Sequence, residues 1–167
     1  LFQDDFTNPA SGWPDEKFDN YFVGYHEPEF YHVEVSSANY KTTVFEPDKQ
    51  IFEDATITAK AFTVAKKTAA TGDFNYGIAF RRSGDQYYAF TISPRTKKWY
   101  VLKSSPTALT TLKEGTETTI HDLGTADILR VDAKGSNFTF YINDKLVSQI
   151  TDKDYAKGET GLYVQTF

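Results

Sequence analysis

Between Tyr76 and Lys103 the chain runs through three short stretches of alternating character: Tyr76-Gly77-Ile78-Ala79-Phe80-Arg81-Arg82, Tyr87-Tyr88-Ala89-Phe90-Thr91-Ile92-Ser93 and Trp99-Tyr100-Val101-Leu102-Lys103. Ser83-Gly84-Asp85 and Pro94-Arg95-Thr96-Lys97 separate them. A side-chain period of two, interrupted by Gly, Pro and Asp, predicts a meander of antiparallel strands. Successive side chains of a strand point to opposite faces, so the meander divides into two surfaces. One is expected to bury Ile78, Phe80, Tyr88, Phe90, Ile92, Tyr100 and Leu102. The other then carries Gly77, Ala79, Arg81, Tyr87, Ala89, Thr91, Trp99, Val101 and Lys103. That second surface is a floor of small residues edged by aromatics and cations, the shape a shallow binding groove needs.

The same reading extends along the chain. Leu1 to Phe6 reads as a short strand stopped by Asn8-Pro9-Ala10-Ser11-Gly12, with Trp13 as a core or loop anchor. Tyr21 to Tyr25 and Glu29 to Val35 form a hairpin pair around His26-Glu27-Pro28, and Tyr40 to Phe45 and Ile57 to Val64 are further strands. A loop at Thr68 to Asp73 precedes the meander. Ser104 to Gly124 holds one or two edge strands with loops. Ile128 to Ala133, Phe138 to Ile142 and Leu146 to Ile150 are three strands, the last two joined by Asn143-Asp144, residues that tolerate positive φ. Asp152 to Lys157 is expected to form one helical turn, and Gly161 to Thr166 a final strand. About a dozen strands at hairpin spacing, without a helix-period stripe, predict one all-β domain over residues 1–167, an antiparallel β-sandwich or jelly roll.

Composition narrows the function classes. The 14 Phe and 11 Tyr suit strands and bury large areas per side chain. A formal charge of −5 argues against nucleic acid and anionic membrane as partners. The absence of Cys excludes disulfides, thiolate metal sites and Cys nucleophiles. No apolar run reaches membrane-spanning length, so membrane insertion is not expected. The chain opens on Leu1 and contains no Met, which predicts a longer precursor that was processed or trimmed.

The order of motifs resembles a known family. Leu1-Phe2-Gln3-Asp4-Asp5-Phe6-Thr7-Asn8-Pro9-Ala10-Ser11-Gly12-Trp13 looks like the start of concanavalin A-like (laminin G-like) sandwich domains of bacterial surface and secreted proteins. These are related to the domain known as 3-keto-disaccharide hydrolase. Tyr76 to Arg81, Asp85 to Phe90, the Tyr141-Ile142-Asn143-Asp144 hairpin and Gly158 to Tyr163 continue the likeness over nearly the whole chain. The resemblance implies a concanavalin A-like jelly roll in an extracellular or cell-surface setting. Members of the family continue into a further strand beside the first. Because this chain ends at Phe167, the resemblance also implies an open edge at Phe2 to Phe6 that invites strand addition from a partner.

Glycoside hydrolysis needs two carboxylates across the scissile bond, and the glucanase relatives place them as Glu-x-Asp-x-x-Glu on one strand. That spacing is absent: Glu53-Asp54 are adjacent, and Glu114 and Glu117 flank Gly115 in an expected loop. A non-catalytic module is therefore expected, with a glycoside-active enzyme as an alternative. His26, His32 and His121 lack metal-ligand spacing. Sandwich relatives often hold a structural Ca2+, for which Asp4 and Asp5 are the candidate ligands. In the groove, Arg81, Tyr87, Trp99 and Lys103 are the candidate ligand-binding residues, because aromatic faces stack on sugars and cations supply directional donors. The expected partner is a carbohydrate or a protein at the cell surface. The remaining alternative is a structural subunit assembling through open sheet edges.

Overall fold

The computed structural model describes residues 1–26, 30–64 and 72–167. Their strands are β1 (Glu16–Lys17), β2 (Tyr21–His26), β3 (Phe30–Val35), β4 (Lys41–Phe45), β5 (Ala55–Ala61), β6 (Phe74–Ser83) and β7 (Gln86–Ser93). Six more follow: β8 (Lys98–Ser104), β9 (Leu109–Thr116), β10 (Asp127–Lys134), β11 (Asn137–Ile142), β12 (Lys145–Thr151) and β13 (Glu159–Thr166). They form a six-stranded sheet in the order β4-β13-β6-β7-β8-β9, a four-stranded sheet β12-β11-β10-β5, and a three-stranded sheet β1-β2-β3. Every pairing between these strands is antiparallel.

Alternation decides which faces meet. In β10, Leu129, Val131 and Ala133 point inward, and Phe138, Phe140 and Ile142 of β11 do the same. They pack against Ile78, Phe80, Tyr88, Phe90 and Ile92 of the six-stranded sheet, which makes the main core. Ring pairs tie the two layers: Phe80 with Phe138 at 5.3 Å, edge to face, and Phe90 with Phe140 at 4.9 Å. A second cluster joins Trp13 and Val23 to Val44 of β4 and Leu162 of β13. The three-stranded sheet therefore extends the four-stranded layer over the β4–β13 end. The expected all-β sandwich is what forms, and Trp13 is buried as an anchor. Among the described residues, no helix is long and apolar enough to cross a membrane.

Turn chemistry fixes the registers. Asn143 and Asp144 have φ of 50° and 64°, as a two-residue hairpin between β11 and β12 requires. Three local expectations differ from the structure. Leu1 to Phe6 is not a strand; Phe2 and Phe6 turn their rings onto Trp13 at 6.2 and 5.5 Å instead. Asp152 to Lys157 contains no helix. β13 lies inside the six-stranded sheet between β4 and β6, so the edges of that sheet are β4 and β9, and no open edge forms at Phe2 to Phe6. The turn at Glu27-Pro28 and most of the loop from Thr68 to Asp73 lie outside the described residues.

Phe140 has no exposed surface and touches rings from the opposite layer. Phe140→Ala is expected to lower unfolding free energy by about 3–5 kcal/mol, since it removes buried surface and leaves a cavity. Urea unfolding checks this, and a loss below about 1 kcal/mol would mean that the layers are not in this contact.

Candidate functional site

The face of the six-stranded sheet that turns away from the main core carries the candidate site. Residues paired across neighbouring antiparallel strands share a face, so the registers assign it directly. Thr43, Tyr163, Gly77, Thr91, Tyr100 and Glu114 form one row across the sheet, and Phe45, Gly161, Ala79, Ala89, Leu102 and Thr111 form the next. The centre of the face is small: a Cβ on Gly77 would lie 2.0 Å from the Phe90 carbonyl oxygen, and one on Gly161 would lie 2.1 Å from that of Val44. Larger side chains from the flanks close over this floor. Tyr87, Leu102 and Tyr163 pack on Ala79 and Ala89, with Phe45, Tyr100 and Leu109 around them.

Beside this aromatic layer lies a polar hollow of about 270 Å³. Lys41 and Thr43 of β4 line it on one side, with Arg82, Gly84, Asp85 and Tyr87 at the β6–β7 end and Ser104, Ser105 and Pro106 opposite. Burial, opposed by a hydrogen bond with Ser104 and helped by Asp85, pushes the Tyr87 phenol above its ordinary pKa. Burial does the same to Tyr163, whose hydroxyl donates to Gln165 Oε1 at 2.8 Å. Both phenols stay protonated at neutral pH and act as uncharged hydrogen-bonding groups.

Arg82 reaches this face through a bulge. Arg82 pairs with Glu159 while Ala79 pairs with Gly161, so β6 holds one residue more than β13 over the same span. Arg81 absorbs it at φ 54°. The backbone of the bulge passes so close to Gly158 that a Cβ there would meet the Arg82 carbonyl oxygen at 2.3 Å. Past the bulge, the Arg82 guanidinium lies over the Phe45 ring at 4.2 Å and donates from Nη1 to Glu159 Oε2 at 2.6 Å.

Of the four residues expected in a groove, only Tyr87 lies on this face, and with 7% exposure its ring is packed into the face and reaches the hollow by its edge. Arg81 is 4% exposed and points between the layers, over Phe138 at 4.8 Å, donating to the carbonyls of Tyr155 at 3.0 Å and Glu53 at 2.6 Å. Trp99 and Lys103 are on the core side because the β7–β8 turn pairs Ser93 with Lys98, hence Ile92 with Trp99 and Tyr88 with Lys103. The expected parity of β8 is inverted. A one-residue change in register moves every side chain to the other face, and both faces of Trp99-Tyr100-Val101-Leu102 are apolar enough to conceal it. Trp99 packs over Gly115, where a Cβ would come within 2.5 Å of the indole. Tyr100 and Leu102 take the outer positions instead. Arg82 left one sequence signal: strict alternation puts its charge in a core phase, a conflict that a bulge resolves.

Lys103 belongs to a partly buried network that ties β8 to the segment after β12. Its ammonium bonds Asp152 at 2.8 Å and also Asp154, and the Tyr88 hydroxyl donates to Asp152 Oδ1 at 2.5 Å. Burial alone works against the charged ammonium, but the two carboxylates outweigh it and raise the Lys103 pKa. Glu114, expected in a loop, is in β9 on the outer face across from Tyr100. Glu117 is buried and bonded to Lys145 at 2.9 Å.

The candidate calcium ligands have other bonds. Asp4 accepts from the Phe6 amide at 2.8 Å, the Ser11 hydroxyl at 2.5 Å and Trp13 Nε1 at 3.0 Å. Asp5 is held below the ordinary carboxylate range by the Thr7 hydroxyl and amide. Among the described residues, no three His, Asp or Glu side chains converge as a metal site would require. A broader depression of about 390 Å³ on the far sheet, at Asp54, Thr56, Asp132 and Lys134, has no aromatic lining. There Asp132 already accepts from Thr56 and Asp54 from the Gly135 amide.

No family profile and no curated protein sequence matches the chain. Solved structures do resemble it. The carbohydrate binding module CBM66 from Bacillus subtilis superposes with a TM-score of 0.64 at 17% identity, over 80% of this chain and 83% of that one. A glycoside hydrolase family 16 endo-glucanase from Bacteroides ovatus gives 0.67 at 11% identity, over 98% and 84%. A Bacillus subtilis protein of unknown function with a galectin-like fold gives 0.56 at 12% identity, over 87% and 80%. These likenesses show the fold, a concanavalin A-like β-sandwich.

The Lys103 network predicts an acid-sensitive edge. Burial tends to raise the Asp152 pKa, but Lys103, the Tyr88 hydroxyl and the Asp154 amide hold it below the ordinary carboxylate range. A lowered folded pKa means that the unfolded chain binds the proton more readily, so the stabilisation is complete above about pH 4 and is lost as pH falls through the folded value. Asp152→Asn should cost about 1–3 kcal/mol at neutral pH and flatten the stability profile below about pH 4, as measured by urea unfolding. An unchanged acid limb in the variant would contradict this assignment.

Proposed function

We propose that this domain is a non-catalytic recognition module that holds carbohydrate on the outer face of the six-stranded sheet. The observation that carries the reading is the juxtaposition on that face of an aromatic layer and a polar hollow. Phe45 and Tyr100 offer part-exposed ring surface around the buried Tyr87 and Tyr163, and Lys41, Thr43, Arg82, Asp85, Ser104, Ser105 and the edge of Tyr87 line the hollow. Sugars present apolar C–H faces and a rim of hydroxyls, which need this combination of ring surface and directional donors and acceptors. The carbohydrate binding module and the endo-glucanase of the same fold support the ligand class by analogy. The reading sets the domain where glycans are met, at the cell surface or outside the cell.

The two acids that the strands place on this face stand too far apart to act as a hydrolytic pair. The acids on this face within the six strands are Glu114 of β9 and Glu159 of β13. Four strand spacings separate β13 from β9, which is about 19 Å at the usual inter-strand distance. Paired carboxylates of glycosidases stand roughly 5–9.5 Å apart. Glu159 is also occupied by Arg82.

Isothermal titration against an oligosaccharide found by glycan array tests the site. Tyr87→Ala and Arg82→Ala should each weaken binding by about tenfold or more, the loss of the ring that shapes the hollow or of charged-group hydrogen bonds. Lys103→Gln, on the opposite face, should change affinity less than about twofold in the folded protein. Glycan binding that ignores Tyr87 and Arg82 would overturn the assignment.

A further inference from the structure

Charge around the hollow sums to a balance, with one cation held in an ion pair, and the ligand must match that balance. Two cations border the hollow, Lys41 and Arg82, with Asp85 as the acid in its lining. Arg82 is not an isolated cation: its Nη1 lies 2.6 Å from Glu159 Oε2, and its Nε donates to the Gly84 carbonyl at 3.1 Å. Glu159 is the more buried partner, with 15% of its side chain exposed against 35% for Arg82. Lys41 and Arg82 are therefore offset by Asp85 and Glu159. Resting on the carbohydrate reading above, we infer that this face selects uncharged glycans over uronate or sulfated ones, and that Glu159 is the residue that sets the preference.

The argument is electrostatic. A ligand carboxylate that approached Arg82 would enter the field of a carboxylate already bonded to it, and like charges at such range repel in a partly dehydrated site. A neutral sugar meets no such penalty. One hydroxyl can accept from the guanidinium while a neighbouring hydroxyl donates to a carboxylate oxygen, so an ion pair offers a vicinal diol both partners at once. The Thr43, Ser104 and Ser105 side chains in the lining are likewise uncharged donors and acceptors. The Phe45 ring under Arg82 holds the guanidinium plane in place. Glu159 acts through Arg82, as a positioning residue and a charge filter.

Binding of neutral hexasaccharides (laminari-, cello- and galacto-series) and acidic ones (oligogalacturonate, hyaluronan and chondroitin sulfate fragments) to the full chain tests this at about 0.05 and 0.5 M salt. The wild type is expected to bind within the neutral set, with less than about a twofold change in Kd between the two salts. Glu159→Gln keeps an acceptor for Arg82 and removes the charge. It should gain at least about fivefold in affinity for the uronate ligands, and the gain should fade at high salt. Wild-type selection of acidic glycans, sensitive to Arg82→Ala, would overturn the inference and leave carbohydrate recognition standing. A folded Glu159→Gln protein, verified by its melting temperature, that gains no acidic ligand would overturn the role of Glu159. Absence of binding to either set would sink both the inference and the reading beneath it.

Discussion

One extra residue in β6 governs the chemistry of both faces at its end of the sheet. Strict alternation from Ile78 and Phe80 would continue by sending Arg82 into the core and Arg81 outward. The bulge at Arg81 reverses that order. Arg81 turns between the layers, where two carbonyl acceptors and the Phe138 ring receive it. Arg82 emerges beside Phe45 and Glu159. A buried guanidinium without those acceptors would be costly, so the carbonyls of Glu53 and Tyr155, which accept from the two terminal nitrogens of Arg81, are part of what makes Arg82 available outside. Gly158 completes the arrangement, since a side chain there would collide with the bulge backbone.

The floor of the face depends on a different constraint. Gly77 and Gly161 sit where neighbouring backbones leave no room for a Cβ, and Ala79 and Ala89 add only a methyl each. Depth that side chains would fill in an ordinary sheet is taken by rings reaching in from the flanks, Tyr87, Tyr163 and Phe45. Tyr87 and Tyr163 are buried and Phe45 is part-exposed, and the edge of Tyr87 borders the polar hollow. The main core on the reverse side keeps this surface rigid, with Phe80, Phe90, Phe138 and Phe140 locked across the layers. Rigidity of this kind lowers the ordering cost of binding.

Much of the fold was legible in the sequence. The meander, the three strands around Asn143-Asp144 and the anchoring of Trp13 follow from alternation and turn chemistry, which act locally. The small floor of Gly77, Ala79 and Ala89 was legible for the same reason. The walls were less so. Alternation alone puts Trp99 and Lys103 on the wrong face because the parity of β8 is set by a four-residue turn, and its apolar residues occur in both phases. Arg81 was exchanged for Arg82 because a bulge is a departure from the period on which the reading rests. Phe45, Glu159 and Tyr163 carry no local signal in the sequence. They come from β4 and β13, which are distant in sequence from the meander and join it only through sheet order.

The central claim is that carbohydrate rests on this outer face, with the edge of Tyr87 against it and the Arg82–Glu159 pair at its side. A crystal structure of the domain with a bound oligosaccharide is the most direct test. The account predicts a sugar ring in the hollow at the edge of Tyr87, with a hydroxyl accepting from the Arg82 guanidinium and the chain passing between Thr43 and Ser105. A sugar seated elsewhere, in the depression at Asp54 and Asp132 or along the β9 edge, with the Arg82 side of the sheet empty, would contradict it.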